Sequence, residues 1–384
     1  MKRLLLLIAT LLIISLIIIS IFTIQSSRRP REAQIISAGT PMAGFARATG
    51  PIPITFPEAH GPHLDYQTEW WYYTGNLDAE SGNHFGYQLT FFRRALVLGD
   101  QEDARSSDWA TRQIYFAHFA LTDVTDQKHQ SFERFERGAA GIAGAQSIPY
   151  TVWLDNWRVE QAGDNRYHLR AAQDAIMLDL TLDDLKGPVL QGDRGYSQKG
   201  ADVGNASYYY SLTRLKSQGT VAVRGKTYSV SGLSWMDHEY STRALTPDEV
   251  GWDWFAIQLD DGNELMLYQF RHSDGTIDPF SSGTLIATDG TITSLNQNDF
   301  QIQVSSIWQS PHSGGQYPAK WIVEIPSQNL MLDIDPYLAD QELSVSFTYW
   351  EGAVRITGVH NGNTVLGIGY IELTGYVGSM AGQF

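Results

Sequence analysis

Carboxylates set beside tryptophan and histidine in strand-like text are where this sequence points most directly to chemistry. The densest group runs His60-Gly61-Pro62-His63-Leu64-Asp65-Tyr66-Gln67-Thr68-Glu69-Trp70-Trp71-Tyr72-Tyr73. If residues 68–74 form a strand, side chains alternate between its faces. Glu69, Trp71 and Tyr73 then share one face, and Trp70, Tyr72 and Thr74 the other. An apolar wall around Glu69 would raise its pKa and let it hold a proton at neutral pH, as a general acid must. The alternative is that Glu69 pairs with an arginine at a barrel mouth while the tryptophans pack a core.

A second group is Gly232-Leu233-Ser234-Trp235-Met236-Asp237-His238-Glu239-Tyr240-Ser241. Read as a strand, it sets Trp235, Asp237 and Glu239 on one face and Met236, His238 and Tyr240 on the other. Aspartate and glutamate are poor strand formers, so two of them beside Trp235 and His238 need a reason. A site with a general acid or a polar ligand contact supplies one, and a solvated strand end supplies another. A third group, Gly251-Trp252-Asp253-Trp254-Phe255-Ala256-Ile257-Gln258, places Trp252 and Trp254 on one face with Ala256 and Gln258. Those tryptophans line a pocket or pack a core.

Several familiar chemistries find no support. No glycine-rich loop precedes a helix, which leaves a nucleotide fold unsupported. Ser234 lies in Gly232-Leu233-Ser234-Trp235-Met236, which fails the G-x-S-x-G elbow. H-E-x-x-H is missing too. His60, His63 and Asp65 have spacing that could ligate a metal, but three residues in a Pro/Gly loop carry little weight. No metal or cofactor is expected. His118, in the apolar run Tyr115-Phe116-Ala117-His118-Phe119-Ala120, reads as a hydrogen-bonded interior histidine.

These residues must be positioned by strands. Tyr, Trp, Phe, Val, Ile and Thr recur in short runs, broken by turn pairs such as Ser81-Gly82, Asp261-Gly262, Asp274-Gly275, Asp289-Gly290 and Asn361-Gly362. Long amphipathic stretches are missing, so the fold class is all-β, with sandwich or barrel domains. An internal echo divides the body. Trp71 to Asp78 leads through a Gly-Asn turn to Phe85 to Arg93, and Trp254 to Asp260 leads through Gly262-Asn263 to Leu265 to Arg271. Two similar domains are therefore expected, over 58–241 and 242–384, joined near Pro247-Asp248-Glu249.

The N-terminus has a different character. Met1-Lys2-Arg3 precedes Leu4 to Phe22, nineteen residues that are apolar except for Thr10, Ser15 and Ser20. As a helix they would span roughly 28 Å, close to a bilayer core. Residues 1–24 read as a signal-anchor or signal peptide and 25–57 as a Pro-containing linker, which places the body outside the cytoplasm, in the cell envelope. Zero cysteines exclude disulfides, thiolate metal sites and a lipoprotein anchor. The net charge is −15, and five basic groups fall in the first 31 residues, leaving a body near −20. Such a body is a poor partner for nucleic acid or anionic lipid.

The segments His63 to Arg93, Ser207 to Leu215, Ser234 to Ser241, Gly251 to Arg271 and Tyr349 through Tyr376 together resemble the AttH-like family. That family is often described as predicted secreted hydrolases and is related to carotenoid 1,2-hydratases of the CrtC type. The resemblance covers roughly residues 55–378. It implies a pair of lipocalin-like antiparallel barrels, each capable of enclosing an apolar ligand. For the hydratase branch it also implies addition of water across an isolated C=C, with a carboxylic acid to protonate carbon and aromatic faces to stabilise the cation. Two functions follow. One is binding of a hydrophobic lipid or isoprenoid at the membrane's outer face, alongside an envelope transport system. The other is a hydratase or hydrolase with Glu69, Asp237, His238 and Glu239 as the catalytic set. Trp70, Trp71, Tyr73, Trp235, Trp252 and Trp254 would line its pocket. A purely structural envelope module is the third reading.

Overall fold

A computed structural model describes residues 44–98, 111–241, 245–246 and 248–380. The apolar segment read as an anchor and the first part of the linker lie outside the described residues. Residues 44–57 carry no regular element, yet they pack on the body: Ala48 is buried with Ala206, Tyr208 and Tyr240. A short 3-10 turn at Glu58–His60 then leads into the first sheet.

That sheet has thirteen strands. It opens with β1 (Thr68–Ala79), β2 (His84–Ala95), β3 (Gln113–Asp123) and β4 (Lys128–Arg137). Next come β5 (Ala143–Ser147), β6 (Tyr150–Leu154), β7 (Trp157–Gly163), β8 (Arg166–Gln173) and β9 (Ile176–Asp184). Short β10 (Pro188–Leu190) and β11 (Tyr196–Gln198) precede long β12 (Ala206–Val223) and β13 (Lys226–Ser241). The spatial order is β4-β3-β2-β1-β13-β12-β9-β8-β7-β6-β5, with β10 and β11 also on β12. The sheet curls into a nearly closed barrel.

The second sheet has ten strands: β14 (Glu249–Leu259), β15 (Glu264–His272), β16 (Ser282–Ile286), β17 (Ile292–Asn296) and β18 (Gln301–Gln309) begin it. It continues with β19 (Gln316–Ile325), β20 (Leu330–Pro336), β21 (Glu342–Ser344), β22 (Thr348–His360) and β23 (Asn363–Leu373). The order β17-β16-β15-β14-β23-β22-β20-β19-β18, with β21 on β22, repeats the first sheet strand for strand from β4 to β7. Along that path β5 and β6 have no counterpart, because four residues alone separate β17 from β18, and off the path β21 stands where the first sheet has β10 and β11. Without those two strands the second sheet stops at a half-barrel. The sequence echo is the opening hairpin of each sheet. Ala79 N–H bonds Asn83 O and Leu259 N–H bonds Asn263 O, both at 2.9 Å. Gly82 and Gly262 take φ of 83° and 86° in the two turns, a left-handed conformation that glycine adopts without Cβ strain.

Each sheet has its own apolar interior. Trp71, Tyr87, Leu89, Phe119 and Trp157 are buried in the first, and Phe255, Ile257, Trp321, Val323 and Ile356 in the second. The outer faces of β1, β2, β12 and β13 pack against β14, β22 and β23. Their approach is close: a Cβ on Gly86 would lie 2.5 Å from the Ala353 Cβ. Polar side chains stitch the layers, with Asn76 Nδ2 donating to Gly369 O (2.9 Å) and Gln258 Nε2 to Thr213 O (2.7 Å) and Ser234 O (3.0 Å). At the margin, buried Glu264 accepts from Lys186 Nζ (2.7 Å) and from Arg214 Nε.

Candidate active site

Strand alternation divides the expected site residues between two compartments. Glu69, Trp71, Tyr73 and His238 point into the first barrel. Trp235, Asp237 and Glu239 point the other way, toward the second sheet, on the face shared with Trp70 and Tyr72. The β1–β13 register sets Trp71 opposite His238 and Tyr72 opposite Asp237, so each compartment gathers residues from both motifs.

Inside the barrel, Glu69 is fully buried and saturated with donors. Arg93 Nε donates to Oε2 at 2.7 Å, and His63 Nδ1 (2.7 Å) and His238 Nε2 (2.9 Å) donate to Oε1. The His63 backbone N–H reaches both oxygens, at 3.1 and 3.0 Å. Burial pushes this carboxyl up, but Arg93, His238 and His63 together outweigh it and hold Glu69 well below its ordinary value. Of the two readings of Glu69, the arginine pairing is the one the fold contains, inside the barrel and fully buried. Arg93 also donates to the carbonyls of His63 and Tyr66 (2.9 Å each), which fastens the Pro/Gly loop over the barrel.

The network continues inward with a defined polarity. Burial lowers His238 to about 4, against the pull of Glu69, and lowers His60 to about 4, with His238 adding to the effect. A neutral His238 that donates from Nε2 must accept at Nδ1, and the Tyr210 hydroxyl lies 3.0 Å away. Tyr210 in turn accepts from His60 Nδ1 (2.7 Å), and His60 Nε2 accepts from Tyr167 (3.3 Å). Trp71 stacks on His238 with ring centroids 4.8 Å apart and donates to His60 O. Tyr73 bonds Tyr150 at 2.7 Å. Ligand atoms of His63, Glu69 and His238 lie within 4.8 Å of one another, as a metal site would require. A cation there would have to displace the donors on Oε1 and sit beside the Arg93 guanidinium. The donor set fits a hydrogen-bonded clamp better than a metal centre.

The other compartment is different in kind. Between the sheets, Tyr72, Asp237 and Ser211 form a cross-strand row on β1, β13 and β12. Facing it, Trp254, Glu372 and Glu351 form a row on β14, β23 and β22. Asp237 accepts from Tyr209 Oη (2.8 Å), Ser211 Oγ (2.5 Å) and Trp235 Nε1 (2.8 Å). Burial outweighs these three bonds and pushes Asp237 up to about 7. Glu372, which accepts from Trp252 Nε1 at 2.9 Å, is pushed to about 7 by burial, with the charges of Asp237 and Glu239 adding to it. Burial and the neighbouring Glu372 also push Glu351 well above its ordinary value. Glu239 is paired with buried Lys199 at 2.5 Å, among the rings of Tyr209, Tyr268 and Phe270.

Aromatic rings wall this acid cluster. Tyr72 and Trp235 each meet Trp254 edge-on, at 5.1 and 6.4 Å, and Trp254 Nε1 donates to Tyr209 Oη (3.1 Å). Tyr72 and Tyr349 both engage the buried Glu351 carboxyl, and Tyr370 Oη beside them is buried without a hydrogen-bond partner among the described residues. Buried polar groups of this kind mark where water or a polar part of a substrate binds. The sequence motifs supplied Asp237, Glu239, Trp235, Trp252 and Trp254. They missed Glu351, Glu372, Tyr209 and Lys199, although a lone glutamate between apolar residues, as in Trp350-Glu351-Gly352 and Ile371-Glu372-Leu373, is a readable signal.

Comparison with known proteins places this architecture. A model of the AttH-like family matches residues 47–376. The crystal structure of an AttH-type protein from Nitrosomonas europaea is 33% identical, with TM-score 0.77, covering 87% of this chain and all of that one. Kievitone hydratase from Nectria haematococca shares the fold at 15% identity, with TM-score 0.65 over 89% of this chain and 99% of its own. Dehydratase asqC of Emericella nidulans is 23% identical over 209 residues, 52% of this chain and 58% of its own length. The chain thus spans somewhat more than half of that curated relative.

Proposed function

We propose, for a chain that belongs to the AttH-like family, an acid–base lyase that adds water to, or removes it from, a hydrophobic lipid or isoprenoid in the cleft between its sheets. The observation that carries this reading is Asp237: a carboxyl buried against Trp235 and Tyr209, with Trp254 alongside, whose pKa of about 7 lets it exist in both protonation states at neutral pH. A hydratase of the same fold and a dehydratase among the curated relatives support it.

In the hydration direction, the Asp237 proton passes to an alkene carbon and the π pair forms the new C–H bond. The cation left on the neighbouring carbon faces Trp254, Tyr72 and Trp235, whose ring quadrupoles attract positive charge. Water then forms the C–O bond and gives its proton to an ionised carboxylate of the Glu372–Glu351 pair. Dehydration runs the same steps in reverse. Glu69 and His238 act by fixing the barrel and its loop, away from the reacting atoms. Placement in the envelope, through residues 1–24, is part of the proposal and rests on the apolar run Leu4 to Phe22.

The test is incubation of the purified protein with a panel of isoprenoid and fatty alkenes and tertiary alcohols in 18O-labelled water, followed by mass spectrometry. Labelled hydration product, absent with Asp237→Asn, is the expected result. Lipophile retained at stoichiometry with no conversion by the unaltered protein would instead identify a binding protein. Neither retention nor conversion would overturn both.

A further inference from the structure

We propose that Glu133, His118 and Tyr349 form a proton relay linking the buried carboxyls of the cleft to the solvent-facing edge of the first sheet. His118 on β3 is fully buried, and β4 sets Glu133 directly opposite it in register. His118 Nε2 lies 3.0 Å from Glu133 Oε1, and His118 Nδ1 lies 2.8 Å from Tyr349 Oη. Tyr349 belongs to the other sheet, two residues before Glu351 on the same face of β22. The chain of contacts therefore crosses from the first sheet to the second. Its outer end is open, since the Glu133 side chain is 16% exposed.

A carboxylate that orients an imidazole, which in turn engages a hydroxyl, is the logic by which hydroxyl groups are made to exchange protons. Glu133 is fixed for the task. Its oxygens also accept from the Ser346 backbone N–H (3.2 Å) and Oγ (2.6 Å). Burial would raise this carboxyl, but His118 and Ser346 outweigh it and keep it ionised below the usual range. With Glu133 ionised, Nε2–H of His118 donates to it. In the tautomer that carries its single ring proton on Nε2, Nδ1 is left to accept from Tyr349. The next group beyond Tyr349 is the Glu351 carboxyl, which Tyr349 engages from two residues away on the same face of β22.

One transit balances without a co-reactant. Glu351 gives its proton to Tyr349 Oη, the Tyr349 proton passes to His118 Nδ1, and the Nε2 proton passes to Glu133 Oε1. Three bonds to hydrogen break and three form, and one negative charge moves from Glu133 to Glu351. The reverse sequence recharges Glu351 from solvent. The relay rests on the acid–base reading of the cleft and gives it a way to reset after each turnover, so all three residues act through Glu351.

The test needs no substrate. The full chain is mixed rapidly into D2O, and the protonated-carboxyl infrared band that disappears in Glu351→Gln is followed in time. His118→Phe and Tyr349→Phe, each checked by near-UV circular dichroism for retained packing, should slow its exchange by about tenfold or more. Glu133→Gln, at the sheet edge, should do the same without touching the core. Exchange as fast in the folded variants as in the unaltered chain would overturn the relay. Relay-dependent exchange with no turnover of any lipophile would keep the relay and sink the lyase. Turnover with exchange indifferent to all three variants would do the opposite.

Discussion

Asp237 and His238 are neighbours in the chain that serve opposite compartments. The Asp237 carboxyl meets Tyr209 and Ser211 between the sheets, while the His238 ring meets Glu69 and Tyr210 inside the barrel. Period-two alternation of a strand produces that split, so substitutions one residue apart are expected to fail in different ways.

Asp237→Asn keeps the size of the side chain, turns one accepting oxygen into an amide donor and removes the transferable proton. Turnover should fall by about a hundredfold to ten-thousandfold, the usual contribution of a positioned acid. With Asp237 pushed up to about 7 in the folded protein, any hydration by the unaltered protein should slow as pH rises above neutrality. Steady-state rates across pH 5–9 check both expectations.

The same raised pKa has a sign in stability. A carboxyl at 3.8 unfolded and about 7 folded binds more protons in the native state across that interval. Its favourable contribution is complete below about pH 4 and is lost as pH rises through about 7, a swing of at most about 4 kcal/mol. Urea denaturation at pH 5 and pH 8 should show a clear fall in the unaltered protein. Asp237→Asn should show a smaller one.

Glu69 predicts the reverse behaviour. Arg93 and the two histidines depress its pKa, so its contribution is present above the ordinary carboxylate range and is lost only in acid. Arg93→Met would leave a buried charge without its main partner and should cost about 3–5 kcal/mol. Thermal melting at neutral pH checks this, with loosening of the 60–66 loop seen as faster amide exchange.

Gly86 tests the contact between the sheets. Gly86→Ala places a methyl against Ala353 and should destabilise by about 1–3 kcal/mol through overpacking. Combining it with Ala353→Gly removes the opposing methyl. The double variant should recover much of the loss, measured as a double-mutant cycle. Equal losses in single and double variants would show that the clash lies elsewhere.

The sequence alone determined what local backbone geometry controls. Alternation put Glu69, Trp71 and Tyr73 on one face and Trp235, Asp237 and Glu239 on another, and the repeated Gly-Asn turns announced two related sheets. Local pattern could not say which faces would meet, because pairing Tyr72 with Asp237 and stacking Glu351 and Glu372 across from them are long-range events. The choice between the two environments open to Glu69 was long-range for the same reason. Arg93 reaches it through the β1–β2 register, and that guanidinium together with His238 and His63 reverses the effect that an apolar wall would have had on its pKa. Likewise β5 and β6, present in one half and missing in the other, decided that only the first sheet approaches closure.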